Sequence, residues 1–288
     1  MQVALATSPE LPDLHHDDRR LLESLRAEGV DARAVVWDDV GTAWENVGVC
    51  VIRSVWDYAQ RYERFIHWVD HVASASIILN SAPLVRWNCN KSYLADVADR
   101  GVPIVPGKWF AAGTRVKLRS LMESEGWSNA VLKPAIASTG YRLRLVTEET
   151  LKEGQRHADF LSSEGDFLVQ KFLGDIVQRG ELSMVFVEGW FTHAVLKRSA
   201  PGEIKVHEEY GGTDVPVVPS ADELEIARKA IAGLAEPALY ARVDLLSDGE
   251  RTYVSELEVI EPELFLRYSE EAVRRLTEGI IGALEGEL

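Results

Sequence analysis

Two stretches decide how this chain is read: Arg242-Val243-Asp244-Leu245-Leu246 and Tyr253-Val254-Ser255-Glu256-Leu257-Glu258-Val259-Ile260, separated by Ser247-Asp248-Gly249-Glu250. The pattern predicts two strands joined by a turn. Residues two apart on a strand share a face, so Glu256 and Glu258 point the same way, and Asp244 can join them from the neighbouring strand. Three carboxylates do not gather against an apolar layer without a cation. An all-oxygen ligand set suits Mg²⁺, and Mg²⁺ commonly arrives with phosphates. The stretch therefore points to nucleotide chemistry.

The rest of the composition is compatible. The chain has 288 residues, 46% of them hydrophobic and 27% charged, enough for two or three modest domains. No apolar run approaches the roughly 20 residues that span a bilayer, and Met1–Thr7 lacks a basic leader, so neither a membrane partner nor a signal peptide is expected. Cys50 and Cys89 make no disulfide framework, and a cytoplasmic location is expected. The formal charge of −15 argues against a nucleic-acid partner. It leaves a single nucleotide open, because that needs only a few local cations.

Periodicity divides the chain into three regions. In residues 1–85, strands at Val3–Ala6, Ala34–Trp37, Val49–Ile52 and Ile77–Leu79 alternate with helices at Asp17–Glu28 and Tyr62–Val72, which predicts a parallel sheet. Residues 86–172 read as a small α+β unit, with helices at Asn90–Asp99, Thr114–Glu125 and Thr147–Ser162 and strands at Ala130–Lys133, Arg142–Val146 and Phe167–Lys171. Residues 173–288 are richer in strands: Leu182–Val187, Phe191–Leu196, Ile204–Val206, Tyr240–Leu246 and Thr252–Ile260. Ser220 and Glu223 form a capping-box pattern, and a last helix runs on from about Ser269.

Several cations fall at strand or helix ends. Lys133 closes a strand before Pro134-Ala135-Ile136-Ala137-Ser138-Thr139-Gly140, a small hydroxyl-bearing loop suited to wrapping phosphate. Lys91 opens a helix capped by Asn90. Lys197 ends a strand, and Arg242 lies two residues before Asp244 on the same face. Taken singly, each reads more readily as a solvated surface residue; four of them beside an acidic trio shift that balance. Gln170-Lys171-Phe172-Leu173 suits a linker that pairs with an adenine edge, though an ordinary strand end reads equally well, and Glu181 suits a ribose or an amine. His67 and His71 share a helix face but have no third ligand, so they read as surface. The chain has no GxxxxGK[ST], GxGxxG, HExxH or GxSxG motif.

In order and spacing these pieces, from about Lys91 to Pro262, resemble the ATP-grasp superfamily. Glu256-x-Glu258-x-x-x-Pro262 is similar to the Glu-x-Asn-x-x-x-Pro of its glutathione-synthetase-like members. The resemblance implies an N-terminal parallel α/β domain (1–85), a small central ATP-binding lid domain (86–172) and a C-terminal antiparallel-sheet domain (173–288). It implies that Lys91 and Lys133, with Ser138, Thr139 and Gly140, bind phosphates, that Gln170, Lys171, Phe172 and Leu173 form the adenine hinge, and that Glu181 holds the adenosine side. Lys197 and Arg242 would contact the γ-phosphate or an acyl phosphate. Asp244, Glu256 and Glu258 would hold two Mg²⁺, with Mn²⁺ as an alternative ion. Two departures stand out: Asn90 replaces a common Asp beside the lysine, and Glu258 replaces a common Asn.

The runs Arg53-Ser54-Val55-Trp56-Asp57-Tyr58, Arg86-Trp87-Asn88 and Glu261-Pro262-Glu263-Leu264-Phe265 resemble a small-molecule subgroup of that superfamily, to which O-ureido-D-serine cyclo-ligases belong. The implied activity is ATP-dependent carboxylate–amine ligation through an acyl phosphate, with an amino-acid-like small molecule as partner and a monomer or homodimer as assembly. Arg53 is then expected to hold a substrate carboxylate, an ordinary strand-end ion pair being the even alternative. Trp56, Tyr58, Lys205, His207, Gly211 and Gly212 are expected around the substrate. Two rivals remain open at this stage: a dipeptide- or peptide-modifying ligase, and an ATP-binding regulator without turnover.

Overall fold

Residues buried on both faces place Val3–Thr7 (β1) at the centre of the first sheet. The computed structural model describes residues 1–206 and 210–286. β1 pairs in parallel with Ala32–Val36 (β2) and Val49–Ser54 (β3), and β3 with Ile77–Leu79 (β4), in the order β2-β1-β3-β4. A sheet this apolar needs cover on both sides. The helix His16–Ala27 (α1) buries Leu21, Leu22 and Leu25 on one face. On the other, Tyr62–Ala75 (α2) packs Phe65, Trp68 and Val69 among Trp37 and Trp44. The Trp37, Trp44 and Trp68 rings meet edge-on at 5.4–5.7 Å, a favoured aromatic geometry.

Ser81 caps Ala82–Cys89 (α3), accepting from the Leu84 amide, and Pro83 sits in its first turn. This helix went unread in the sequence, although both start signals were present. Tyr93–Asp99 (α4) follows. The second sheet is antiparallel and contains Gly107–Phe110 (β5), Ala130–Pro134 (β6), Arg144–Val146 (β7) and Phe167–Lys171 (β8), in the order β5-β8-β6-β7. Leu118–Glu125 (α5) and Leu151–Glu164 (α6) cover it around Leu118, Leu132, Leu161 and Phe167.

The short helix Asp175–Gln178 (α7) leads into the third sheet. Its strands are Glu181–Val187 (β9), Trp190–Arg198 (β10), Thr213–Val217 (β11), Tyr240–Ser247 (β12) and Thr252–Glu258 (β13), antiparallel in the order β11-β10-β9-β12-β13. Ile204–Val206, expected as a strand, is irregular, and the edge of this sheet is β11. Pro216 in β11 cannot donate to a ladder, and an edge is where a strand tolerates that. Ala221–Ala232 (α8) starts on the expected capping box of Ser220 and Glu223.

Glu270–Glu285 (α9) returns to pack with α1, joining the first and third sheets in one core that includes Leu5, Val51, Val187, Tyr240, Leu276 and Ile280. Polar staples fix the join. The Asn80 amide donates to the carbonyls of Tyr240 (2.9 Å) and Val259 (2.7 Å) and accepts from the Leu239 N–H (2.7 Å). Asn88 donates to the Leu257 carbonyl and accepts from the Val259 N–H. The Tyr240 hydroxyl lies 2.6 Å from the Ile52 carbonyl and 2.8 Å from that of Ile260. β13 is thus held from the N-terminal side along its whole end, and no described helix is long and apolar enough to cross a membrane.

Candidate active site

Strand register assembles the charged cluster. Asp244 on β12 stands opposite Glu256 on β13 and Ser183 on β9; Arg242 stands opposite Glu258; Lys197 on β10 stands opposite Glu181. Alternation then puts all of these side chains on one face. The carboxylates of Asp244, Glu256 and Glu258 each present an oxygen within 4.8 Å of the others. Arg242 lies 2.8 Å from Asp244 and 2.7 Å from Glu258. Lys197 lies 2.5 Å from Glu181 and 3.5 Å from Asp244. Lys133, from the end of β6, and Lys91, from the link between α3 and α4, converge on Glu256 at 3.3 and 3.1 Å. Lys91 precedes α4 rather than opening a helix: the Asn90 side chain accepts from the Ser92 N–H in a tight turn. The Lys91 amide donates to the Ala135 carbonyl, tying this turn to the loop after β6.

The electrostatics follow from this crowding. Burial alone would raise Glu256, but Lys91 and Lys133 outweigh it and hold its carboxyl well below the usual range. Burial drives Glu258 well above that range; Arg242 opposes, while Asp244 and Glu256 add repulsion. Burial also resists ionisation of Asp244, yet Arg242 and Lys197 keep it low. Lys133 is lowered by burial and by its neighbour Lys91, with Glu256 opposing.

These groups line a cavity of about 420 Å³ between the three sheets. At one end lie Val131, Gln170, Lys171, Phe172, Leu173 and Leu246. There the Gln170 Nε2 is buried without a hydrogen-bond partner, a donor waiting for an acceptor. Ala137, Ser138, Thr139 and Gly140 form the roof. Thr139 and Gly140 both adopt left-handed backbone, a conformation that favours glycine, and the Ser138 hydroxyl donates to the Trp56 carbonyl at 2.7 Å. Lys205 lies along Gly140 and over the Tyr210 ring. Gly180 has a positive φ, and a methyl group there would collide with the Lys197 carbonyl, so glycine lets Glu181 reach Lys197. At the other end are His15, Trp56, Tyr58, Glu261 and Glu263.

The donor chemistry fits the expected groups. Three carboxylates within ion-sharing distance suit a hard divalent cation. The orphaned Gln170 amide suits an adenine edge, and the cations suit phosphate oxygens.

Some expectations need correction. Arg53 does not line the cavity. It is 1% exposed, its Nε donates to Asp18 at 2.9 Å, one NH₂ donates to the Pro262 carbonyl at 2.7 Å, and it lies 4.7 Å from the Tyr240 ring centroid. Both ends of the guanidinium fork are occupied, so Arg53 braces the first sheet against the end of β13; the even alternative, an ion pair, is the arrangement found. Gly211 and Gly212 also lie off the cavity wall, and His207 falls outside the described residues. Conversely, sequence reading missed Tyr93, whose hydroxyl accepts from the Leu257 N–H, and His15 and Glu261 at the cavity end. A left-handed Leu14 turns His15 inward, a feature that no residue pattern announces.

Comparisons with known proteins bear on this geometry. The family described as D-cycloserine synthetase DcsG, N-terminal domain, matches residues 3–80. The cycloserine biosynthesis protein DcsG of Streptomyces lavendulae is 27% identical over 301 residues, covering 98% of this chain and 99% of the relative. The crystal structure of D-cycloserine synthetase DcsG superposes with a TM-score of 0.91 at 25% identity, covering 99% of this chain and 100% of that one. A RimK-domain ATP-grasp protein from Sphaerobacter thermophilus gives a TM-score of 0.71 at 16% identity over 97% and 99% of the two chains, a likeness of fold alone.

Proposed function

We propose that this chain is an ATP-grasp ligase, forming a C–N bond as ATP becomes ADP, and that it closes a ring within O-ureido-D-serine to give D-cycloserine; its likeness to cycloserine-synthesising relatives supports this. The observation that carries the reading is the single cavity in which Lys91, Lys133, Lys197 and Arg242 are interleaved with Asp244, Glu256 and Glu258. Likeness to a cycloserine-biosynthesis relative along nearly the whole chain supports the choice of substrate.

In the absence of ligand the cations and carboxylates neutralise one another. Binding exchanges those partners. Asp244, Glu256 and Glu258 would hold Mg²⁺, which when bound neutralises charge on the triphosphate. Lys91 and Lys133 then turn from Glu256 to phosphate oxygens. Gln170 donates to the adenine edge, and the Lys171–Leu173 backbone flanks the ring. Arg242 and Lys197 stand where charge develops as the substrate carboxylate attacks the γ-phosphorus and ADP leaves. The resulting acyl phosphate is attacked by the nitrogen bonded to oxygen, phosphate departs, and that nitrogen loses its proton. Atom balance requires that the carbamoyl group left on this nitrogen be hydrolysed with one water to carbon dioxide and ammonia. The roof loop, latched by Ser138 onto Trp56, keeps bulk water from the acyl phosphate.

The test is direct. Incubated with ATP, Mg²⁺ and O-ureido-D-serine, the protein should release ADP in step with a ring product seen by mass spectrometry. ADP release that ignores the amino acid, with no such product, defeats the assignment.

A further inference from the structure

Glu261 stands apart from every other carboxylate in the cavity wall. Glu181 has Lys197 at 2.5 Å, Asp214 and Glu263 each have Arg267 at 2.7 Å, Asp244 and Glu258 have Arg242 at 2.8 and 2.7 Å, and Glu256 has Lys91 at 3.1 Å. Glu261 is only 8% exposed. Yet among the described residues its side chain has no ion pair and no hydrogen-bond donor other than its own backbone amide. The two cations whose charge reaches it, Lys91 and Arg242, are already paired with Glu256, Asp244 and Glu258. They are also the groups that a nucleotide would draw away. A buried carboxylate without a partner is costly to keep charged.

Its position is fixed rather than accidental. Trp56 Nε1 donates to the Glu261 carbonyl at 3.0 Å, and the Trp56 carbonyl accepts from Ser138 of the roof loop. Trp56 and Tyr58 line the cavity beside it. The His15 ring packs 5.0 Å from that of Trp56, with its Nδ1 buried and unpartnered. A buried carboxylate between aromatic walls has the chemistry of an ammonium receptor.

We propose that Glu261 receives the protonated α-amino group of the amino-acid substrate, in a corner walled by Trp56 and Tyr58, and so selects substrates with a free ammonium group. This rests on the ligase reading for its substrate class and adds a consequence. A nitrogen held as ammonium has no lone pair to attack with, so the nitrogen that joins the activated carboxyl must be a different one in the same molecule or in a second one.

The experiment uses the full-length protein with Mg²⁺ and a non-hydrolysable ATP analogue. Calorimetry measures the binding of D-serine, L-serine, D-alanine and O-ureido-D-serine, each beside its N-acetyl derivative. At least one free amino acid should bind, its N-acetyl partner should bind about tenfold or more weakly, and Glu261→Gln should lose a similar factor, because a charged hydrogen bond is lost in each case. The proposal is overturned if no free amino acid binds, if the N-acetyl forms bind equally to the unaltered protein, or if Glu261→Gln retains its affinity. The acetyl comparison needs no variant. Failure of the ligase reading shows separately, as absent ADP release while Glu261-dependent binding persists.

Discussion

Replacing Glu256 by Gln should separate two roles that one side chain combines. Glu256 Oε1 lies 3.1 Å from Lys91 and 3.3 Å from Lys133, whose side chains are 12% and 10% exposed. A charge-assisted hydrogen bond contributes about 1.5–3 kcal/mol, and the amide oxygen of glutamine retains part of it. The carboxylate is 22% exposed, so solvent screens the remainder. A net loss of about 1–2 kcal/mol in the ligand-free protein follows, visible as a drop of a few degrees in thermal midpoint. Catalysis should suffer more. Losing one preorganised charge at a phosphoryl-transfer centre typically costs about 10²–10³ in kcat, and a ligand lost from the cluster should raise the Mg²⁺ concentration needed for half-maximal rate about tenfold or more. The assay is ADP release across a Mg²⁺ titration, with folding checked by the melt. A variant that melts as expected but keeps its kcat and its Mg²⁺ dependence would refute the place given to Glu256.

Other outcomes follow from the same geometry. Gln170→Leu removes a buried donor that has no partner, so the ligand-free protein should melt at the same temperature or higher while ATP affinity falls about tenfold by calorimetry; unchanged ATP binding would place adenine elsewhere. Asn80→Ala deletes three hydrogen bonds of 2.7–2.9 Å between the first and third sheets and should cost about 2–4 kcal/mol in chemical denaturation; a cost below about 0.5 kcal/mol, the ordinary range of surface substitutions, would deny the staple. Cys50 and Cys89 are buried and their thiols are pushed far up by that burial, so a thiol reagent should label the protein only after unfolding; rapid labelling of the native protein would contradict their placement.

The parts of the site that sequence exposed are those fixed by local rules. Glu256 and Glu258 share a face by strand alternation, and Lys133 is the penultimate residue of its strand, which stops at Pro134 before a small-residue loop. What escaped depends on distant packing. Arg53 looked like a substrate clamp because nothing in its neighbourhood reveals Asp18, which reaches it from α1, or the Pro262 carbonyl. Glu261 stood in the sequence only as part of a run that carries a family resemblance, because its isolation from cations appears only once every other carboxylate has been given its partner. The irregular Ile204–Val206 carries strand-forming residues, yet Lys205 lies against Gly140 and the Tyr210 ring, and the strand that pairs with β10 is β11 instead.

The join between sheets also explains why the N-terminal unit is inseparable from the chemistry. β13 carries the acidic pair, and its backbone beyond Glu256 is gripped by Tyr93, Asn88, Asn80 and Tyr240. Arg53 and Trp56 then hold the carbonyls of Pro262 and Glu261, in two successive peptide groups. Glu258 is thus held from within the third sheet by Arg242 on β12, while Glu261 is placed from outside it by Arg53 and Trp56. The loop after β6 meets this frame through the Ser138–Trp56 hydrogen bond and, at its start, through the Lys91 amide on the Ala135 carbonyl. The Ser138–Trp56 bond contributes about 1 kcal/mol net, and because the Trp56 indole also holds the Glu261 carbonyl, the roof loop and the proposed ammonium corner share one anchoring residue.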